Sequence, residues 1–158
     1  TPNVTDLFPR AQTLGVPFTI HAGEADGPES VKAALACGTK RIGHGVRSKE
    51  DSDLVKRLAK EGITLECCPK SNLDTKIFAY IEEYPFRYYL EQGVHITINS
   101  DNMVVSNTNV IREFQRLNAA FQLTKEEVKT VLQNSVRASF ASETLKATLL
   151  QKIDERLP

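Results

Sequence analysis

The chain lacks an excess of charge of either sign: 20 basic side chains are matched by 20 acidic ones across 158 residues. No basic block breaks that balance, which argues against nucleic acid or an anionic membrane as the main partner. No apolar run approaches the roughly 18 residues of a membrane span, and no signal peptide is visible. Cysteine is scarce and odd in number, with three residues, of which Cys67 and Cys68 are adjacent. That argues against a disulfide framework and for a reducing, cytoplasmic setting. Methionine is missing from the first position. The chain opens on the turn-like Thr1-Pro2-Asn3, as a fragment, a processed product or the ordered part of something longer does. The remaining composition, 41% hydrophobic and 25% charged, is that of an ordinary globular protein. One domain over 1–158 is the expectation. A chain of this size buries roughly 68–70% of its unfolded surface.

Four short runs read as buried parallel strands: Phe18–Ala22, Arg41–His44, Ile63–Cys67 and His95–Ser100. Helical patterns lie between them. Pro28–Cys37 starts on a proline and is followed by Gly38; Ser48–Glu61 has Leu54, Val55, Leu58 and Ala59 on one face and is followed by Gly62; Tyr84–Gln92 is followed by Gly93. The order strand, helix, glycine, strand predicts βαβ units and a parallel sheet. Three further helices follow. Asn107–Phe121 has Val110, Ile111, Phe114 and Leu117 on one face. A capping box at Thr124-Lys125-Glu126-Glu127 opens a helix that runs to about Phe140. The last runs from Ser142 to about Ile153, with Leu145, Leu149 and Leu150 inward. Four strands are too few to close an eight-stranded barrel, which takes about 250 residues. An open α/β sheet places its ligand crevice at the same strand ends.

The chemistry-bearing residues gather at those ends. His21 closes the first strand and Glu24 follows three residues later, a metal-binding imidazole with a carboxylate to move protons beside it. The plain alternative is a hydrogen-bonded core histidine and a helix-start glutamate. His44 lies between Gly43 and Gly45, which allow a sharp turn and close approach of a ligand. Imidazole is the usual acid or base near neutral pH, and a satisfied core histidine is the alternative. Asp101 ends the apolar run Ile96-Thr97-Ile98-Asn99-Ser100. A carboxylate there needs a metal, a cation or N–H donors to offset desolvation, unless it serves an Asx turn or helix N-cap. His95 begins its strand at the opposite end of the sheet and reads as structural. Cys67-Cys68-Pro69 lacks the spacing of a thiolate metal site, so the cysteines read as small core residues. Ser71 and Asn72 are placed in the following loop, on the catalytic side.

The strings His21-Ala22-Gly23-Glu24, Arg41-Ile42-Gly43-His44-Gly45, Cys68-Pro69-Lys70-Ser71-Asn72 and Ile96-Thr97-Ile98-Asn99-Ser100-Asp101-Asn102 follow one another in the order and spacing of adenosine deaminases. From about Leu7 to Ile153 the chain resembles the C-terminal half of such an enzyme, strands five to eight of a (β/α)8 barrel of the TIM type. The resemblance implies zinc-dependent hydrolytic deamination of adenosine to inosine, in purine salvage. It makes His21 and Asp101 metal ligands, Glu24 the proton donor to the purine ring, and His44 the residue that orients or deprotonates the attacking water. Asn102 stands where the commonest pattern has a second aspartate; its amide is an obligate donor, and it is assigned to substrate binding.

The His-x-His pair of the family's first strand and the glycine-containing loop after its fourth are absent from this chain. Catalytic zinc takes three protein ligands and an open position, so the chain is expected to be inactive, or to bind zinc weakly, on its own. Half a barrel leaves two strand edges and one sheet face uncovered, which predicts self-association or an N-terminal half as partner. Two other readings remain: a non-catalytic half-barrel that binds a purine or a partner, and a deaminase of adenine or a related aminopurine.

Overall fold

The computed structural model describes residues 7–158. The turn-like start expected at Thr1-Pro2-Asn3 lies outside the described residues. Four strands, β1 (Ile20–Ala22), β2 (Arg41–His44), β3 (Thr64–Cys67) and β4 (His95–Ile98), form one parallel sheet in the order β1-β2-β3-β4. Helix α1 (Leu7–Thr13) precedes β1. Helices α2 (Pro28–Ala36) and α3 (Ser52–Lys60) follow β1 and β2, while α4 (Pro69–Asp74) and α5 (Phe86–Glu91) follow β3. Helices α6 (Val110–Phe121), α7 (Lys125–Ala138) and α8 (Glu143–Arg156) complete the chain. Among the described residues no helix is long and apolar enough to cross a membrane.

The register sorts side chains between two faces, because successive strand residues point in opposite directions. Ile20 pairs with Ile42, Ile42 with Leu65 and Leu65 with Ile96. Ile42, Leu65 and Ile96 are fully buried beside Val31, Leu58, Phe86 and Tyr89. The neighbouring row runs His21, Gly43, Glu66 and Thr97. Polar groups dominate that second face. Arg41 is paired with Glu66, its Nε lying 2.9 Å from Oε1, and Thr19 donates to Glu66 at 2.6 Å. Arg41 Nη1 also reaches the Ala138 carbonyl at 3.1 Å, and its guanidinium lies 4.1 Å from the centre of the Phe140 ring. His21 is exposed on this face.

Exposed apolar side chains flank the two edge strands instead. Leu7, Leu14 and Val16 lie before β1; Met103, Val104, Val105, Val110 and Ile111 lie after β4. The uncovered face expected from sequence is therefore polar, and the apolar surface sits beside its edges.

Several local expectations are corrected. The segment read as one helix over Ser48–Glu61 divides into a 3-10 turn, Val46–Glu50, and α3. Asp51 is extended and its Oδ1 accepts from the Asp53 and Leu54 N–H groups at 3.0 Å, so the helix begins after this cap. Ser71 and Asn72 lie on α4, not on a loop, because Pro69 is preset for a first helical turn. The turn closes with Asn72 N–H on the Cys68 carbonyl at 3.0 Å. In α6, Val110 and Ile111 are exposed, whereas Glu113 is fully buried. Its carboxylate accepts from Lys70 N–H at 2.8 Å and from the Thr108 hydroxyl, which offsets its desolvation. Helix α8 has no buried residue, and Leu145 is exposed.

Candidate active site

The C-terminal ends of β1, β2 and β4 bring His21, His44 and Asp101 together. The loops after β1 and β2 are stitched by Gly45 N–H to the Ala22 carbonyl and Arg47 N–H to the Gly23 carbonyl, both at 2.9 Å. Tyr89 braces the second loop from below, donating to the Val46 carbonyl and accepting from Lys49 N–H, each at 2.9 Å. His44 and Asp101 both adopt positive φ, 64° and 54°. Such backbone costs roughly 1–3 kcal/mol per residue and persists where the surroundings over-determine it. In a regular strand His44 would share the buried face of Ile42. Its left-handed φ breaks that alternation, and the ring lies against the residues of the open side.

His44 is 2% exposed. Its Nε2 lies 3.5 Å from Glu24 Oε2 and 4.0 Å from Asp101 Oδ2. The His21 ring meets it edge-on, with centroids 5.1 Å apart. Gly43 makes room for that ring: a Cβ here would stand 2.3 Å from His21 Cδ2. Asp101 accepts from the Ser71 hydroxyl at 2.7 Å. The Asx turn weighed for Asp101 belongs to Asn102, whose Oδ1 accepts from the Val104 and Val105 N–H groups at 3.1 Å. Its amide NH2 has no hydrogen bond among the described residues, so it is the donor that stays free.

A cavity of about 180 Å³ is lined by His21, Gly43, His44, Glu66, Cys68, Asn99 and Asp101. An imidazole and a carboxylate are donors that suit zinc, and His21 and Asp101 both open into this space. Among the described residues, however, no group of three or more His, Cys, Asp or Glu side chains is arranged to hold a metal ion. The pair fits part of a zinc site, short of the three ligands that catalytic zinc takes. Among the described residues the cysteines do not complete such a group. Burial pushes the Cys67 thiol up to about 12 and raises that of Cys68 further, and Cys68 Sγ lies 3.4 Å from the Glu66 carbonyl oxygen. His95 begins β4, exposed, at the far end of the sheet.

Sequence reasoning undervalued Asn72. Its Nδ2 lies 3.0 Å from His44 Nδ1 and 3.4 Å from Glu24 Oε1, and its Oδ1 accepts from the Tyr84 hydroxyl at 3.2 Å. These partners are far apart in sequence, and only the Ser-Asn pair after Pro69 signalled that this turn belongs to the catalytic side.

Residues 2–156 match the protein family described as adenosine deaminase. An adenosine deaminase of Haemophilus ducreyi is 48% identical over 151 residues, covering 96% of this chain and 44% of the relative. The crystal structure of an adenine deaminase from Arthrobacter aurescens superposes with a TM-score of 0.93 at 32% identity, covering 97% of this chain and 47% of that one. An amidohydrolase from Burkholderia ambifaria, solved with bound zinc, shares the fold at a TM-score of 0.88 and 20% identity, over 97% of this chain and 43% of its own. The chain thus spans less than half the length of these relatives. Its four-stranded sheet with helices on one face is half of a (β/α)8 barrel, as the sequence predicted.

Proposed function

The chain belongs to the adenosine deaminase family, and from that premise we propose that it carries one side of a zinc-dependent site for hydrolytic deamination of adenosine to inosine. The observation that carries this reading is the meeting of His21, Glu24, His44 and Asp101 at the C-terminal ends of parallel strands, where barrel enzymes place their chemistry. The reaction adds water oxygen to the purine carbon that bears the amino group and releases ammonia. His21 and Asp101 would hold zinc together with ligands from the other half of the barrel. Zinc, when bound, supplies Lewis acidity that makes water a nucleophile near neutral pH.

The remaining steps belong to side chains of this chain. Glu24, half-buried, delivers a proton to the ring nitrogen beside the attacked carbon, which requires its carboxyl to be protonated at that moment. His44 faces the attacking water with Nε2 and steadies the charge that develops there. Ser71 holds Asp101 in place through its hydroxyl. Asn102 offers its amide NH2 to the purine. The purine nucleoside is the partner, and neither nucleic acid nor membrane is one. The apolar flanks of β1 and β4 fit an N-terminal half of the same barrel, or a second copy of this chain. The setting is cytoplasmic.

The likeness to an adenine deaminase favours a second reading, the same chemistry on the free base. Both are tested in a barrel made by joining the N-terminal half of the Haemophilus ducreyi relative to this chain. Deamination of adenosine well above adenine, abolished in Glu24→Gln, is the expected result. Preference for adenine selects the second reading. Loss of both activities, in a folded barrel with zinc bound, refutes deamination by these residues.

A further inference from the structure

We propose that Arg47 is a positioning residue that clamps the loop carrying Glu24 and so sets the aim of its carboxyl group. The inference rests on the deaminase reading of the site, in which Glu24 delivers a proton to the purine ring, and it adds the residue that holds Glu24 in place.

Glu24 needs such a hold because its own side chain makes only long contacts. Its Oε1 lies 3.4 Å from Asn72 Nδ2, and its Oε2 lies 3.5 Å from His44 Nε2. Both exceed the roughly 2.7–3.2 Å of a firm hydrogen bond from N–H to oxygen. The backbone on either side is held more tightly, and by one residue. Arg47 N–H donates to the Gly23 carbonyl at 2.9 Å, and Arg47 Nη1 donates to the Ala25 carbonyl at 2.8 Å. These two acceptors bracket Glu24. Ser30 secures the ends of the same loop: its hydroxyl accepts from Gly23 N–H at 2.8 Å and donates to the Gly27 carbonyl at 2.7 Å. The position of the Glu24 carboxyl is therefore set through its backbone, and Arg47 supplies a hold on each side of it.

The clamp has a fixed base. Arg47 belongs to the 3-10 turn Val46–Glu50, and the fully buried Tyr89 grips that turn on both sides of it. The phenol donates to the Val46 carbonyl and accepts from Lys49 N–H, each at 2.9 Å. The arm is fixed as well. Glu50 takes Arg47 Nε at 2.8 Å and Nη2 at 3.2 Å, which leaves Nη1 aimed at Ala25. The guanidinium in turn holds the Glu50 carboxyl below the usual carboxylate range. Serving one carboxylate with two donors and a carbonyl with a third takes the rigid fork of arginine; lysine offers a point charge on a flexible stem. Arg47 is not among the residues that line the catalytic cavity, so it acts through the loop and not on the purine. Displacing a reacting group by about 1 Å costs up to roughly 100-fold in rate.

The test begins with the loop itself and needs no activity. Backbone amide relaxation of the full chain should give order parameters of about 0.85 at Glu24, Ala25 and Asp26, falling below about 0.6 in Arg47→Ala. Thermal melts establish that each variant is folded, which the part-exposed position of Arg47 favours. In the joined barrel, Arg47→Ala should lower kcat by about 10- to 100-fold with little change in KM, because Glu24 is used in the transition state. Arg47→Lys keeps the charge without the fork and should recover only part of that loss. Glu50→Gln, which loosens the arm, should fall between wild type and Arg47→Ala. Unchanged order parameters in Arg47→Ala overturn the clamp. A loosened loop with unchanged kcat, or a loss confined to KM, overturns its role in aiming Glu24. Full activity in Arg47→Lys overturns it also, since charge alone would then suffice. A joined barrel that is inactive even with Arg47 in place counts against the deaminase reading instead, and the relaxation data still decide whether Arg47 holds the loop.

Discussion

The two faces of the sheet are built on opposite principles. The helix-covered face packs Ile42, Leu65 and Ile96 to complete burial among Leu58, Phe86 and Tyr89. On the open face Thr19 and Arg41 donate to Glu66 and Thr97 accepts from Asn99, with His21 exposed beside them. The first face packs all four strands into one buried cluster with the helices that cover them. The second needs no apolar cover to remain satisfied, and at its upper rim stand His21, Glu24, His44 and Asp101, the groups proposed to hold metal and move protons. Stability and chemistry are thus placed on opposite sides of the same strand residues, one position apart in register.

That separation can be broken from either side. The largest effect is expected for Ile42→Asp, which buries an unpaired carboxylate on the covered face. The penalty of several kcal/mol approaches a domain's whole stability. Circular dichroism should show no cooperative melt, and a normal one would mean that this face is not the core. Glu113→Ala comes next. It strips the acceptor from Lys70 N–H and the Thr108 hydroxyl, at about 1–3 kcal/mol for each group left buried and unpaired. The urea midpoint should fall accordingly, with a smaller drop in Glu113→Gln. Gly43→Ala acts on the open face alone. Its new Cβ displaces the exposed His21 ring, so melting should be nearly unchanged. Zinc binding by the joined barrel, read by chelator competition, should weaken by about 10- to 100-fold. The smallest effect concerns the thiols. In the native chain iodoacetamide should label the half-buried Cys37 and spare Cys67 and Cys68, whose thiols burial raises; denaturant should expose all.

The covered face was largely legible in the sequence because burial leaves a periodic trace. Arg41–His44 was read to the residue, and the capping box at Thr124 and Glu127 forms as expected. The site was legible as a set of strand-end residues, but not as a network. Helix α4 has six residues, too few to show a period, so Ser71 and Asn72 looked like loop. The buried Glu113 interrupts the apolar stripe of α6 because its partners, Lys70 and Thr108, lie on other segments. Val110, Ile111 and Leu145 read as core from spacing alone, yet are exposed. Spacing tells which side of a helix is apolar and not what stands opposite it. The left-handed backbone at His44 and Asp101 also leaves no pattern that composition reveals.

The most direct measurement is adenosine deamination by the zinc-loaded chain, alone and after mixing with the N-terminal half of the Haemophilus ducreyi relative, with His21→Ala as control. The half-site reading predicts no turnover by the chain alone, and turnover after mixing that His21→Ala abolishes. Full turnover by the unaided chain, lost in His21→Ala, would contradict it by showing that these strands assemble a complete site themselves.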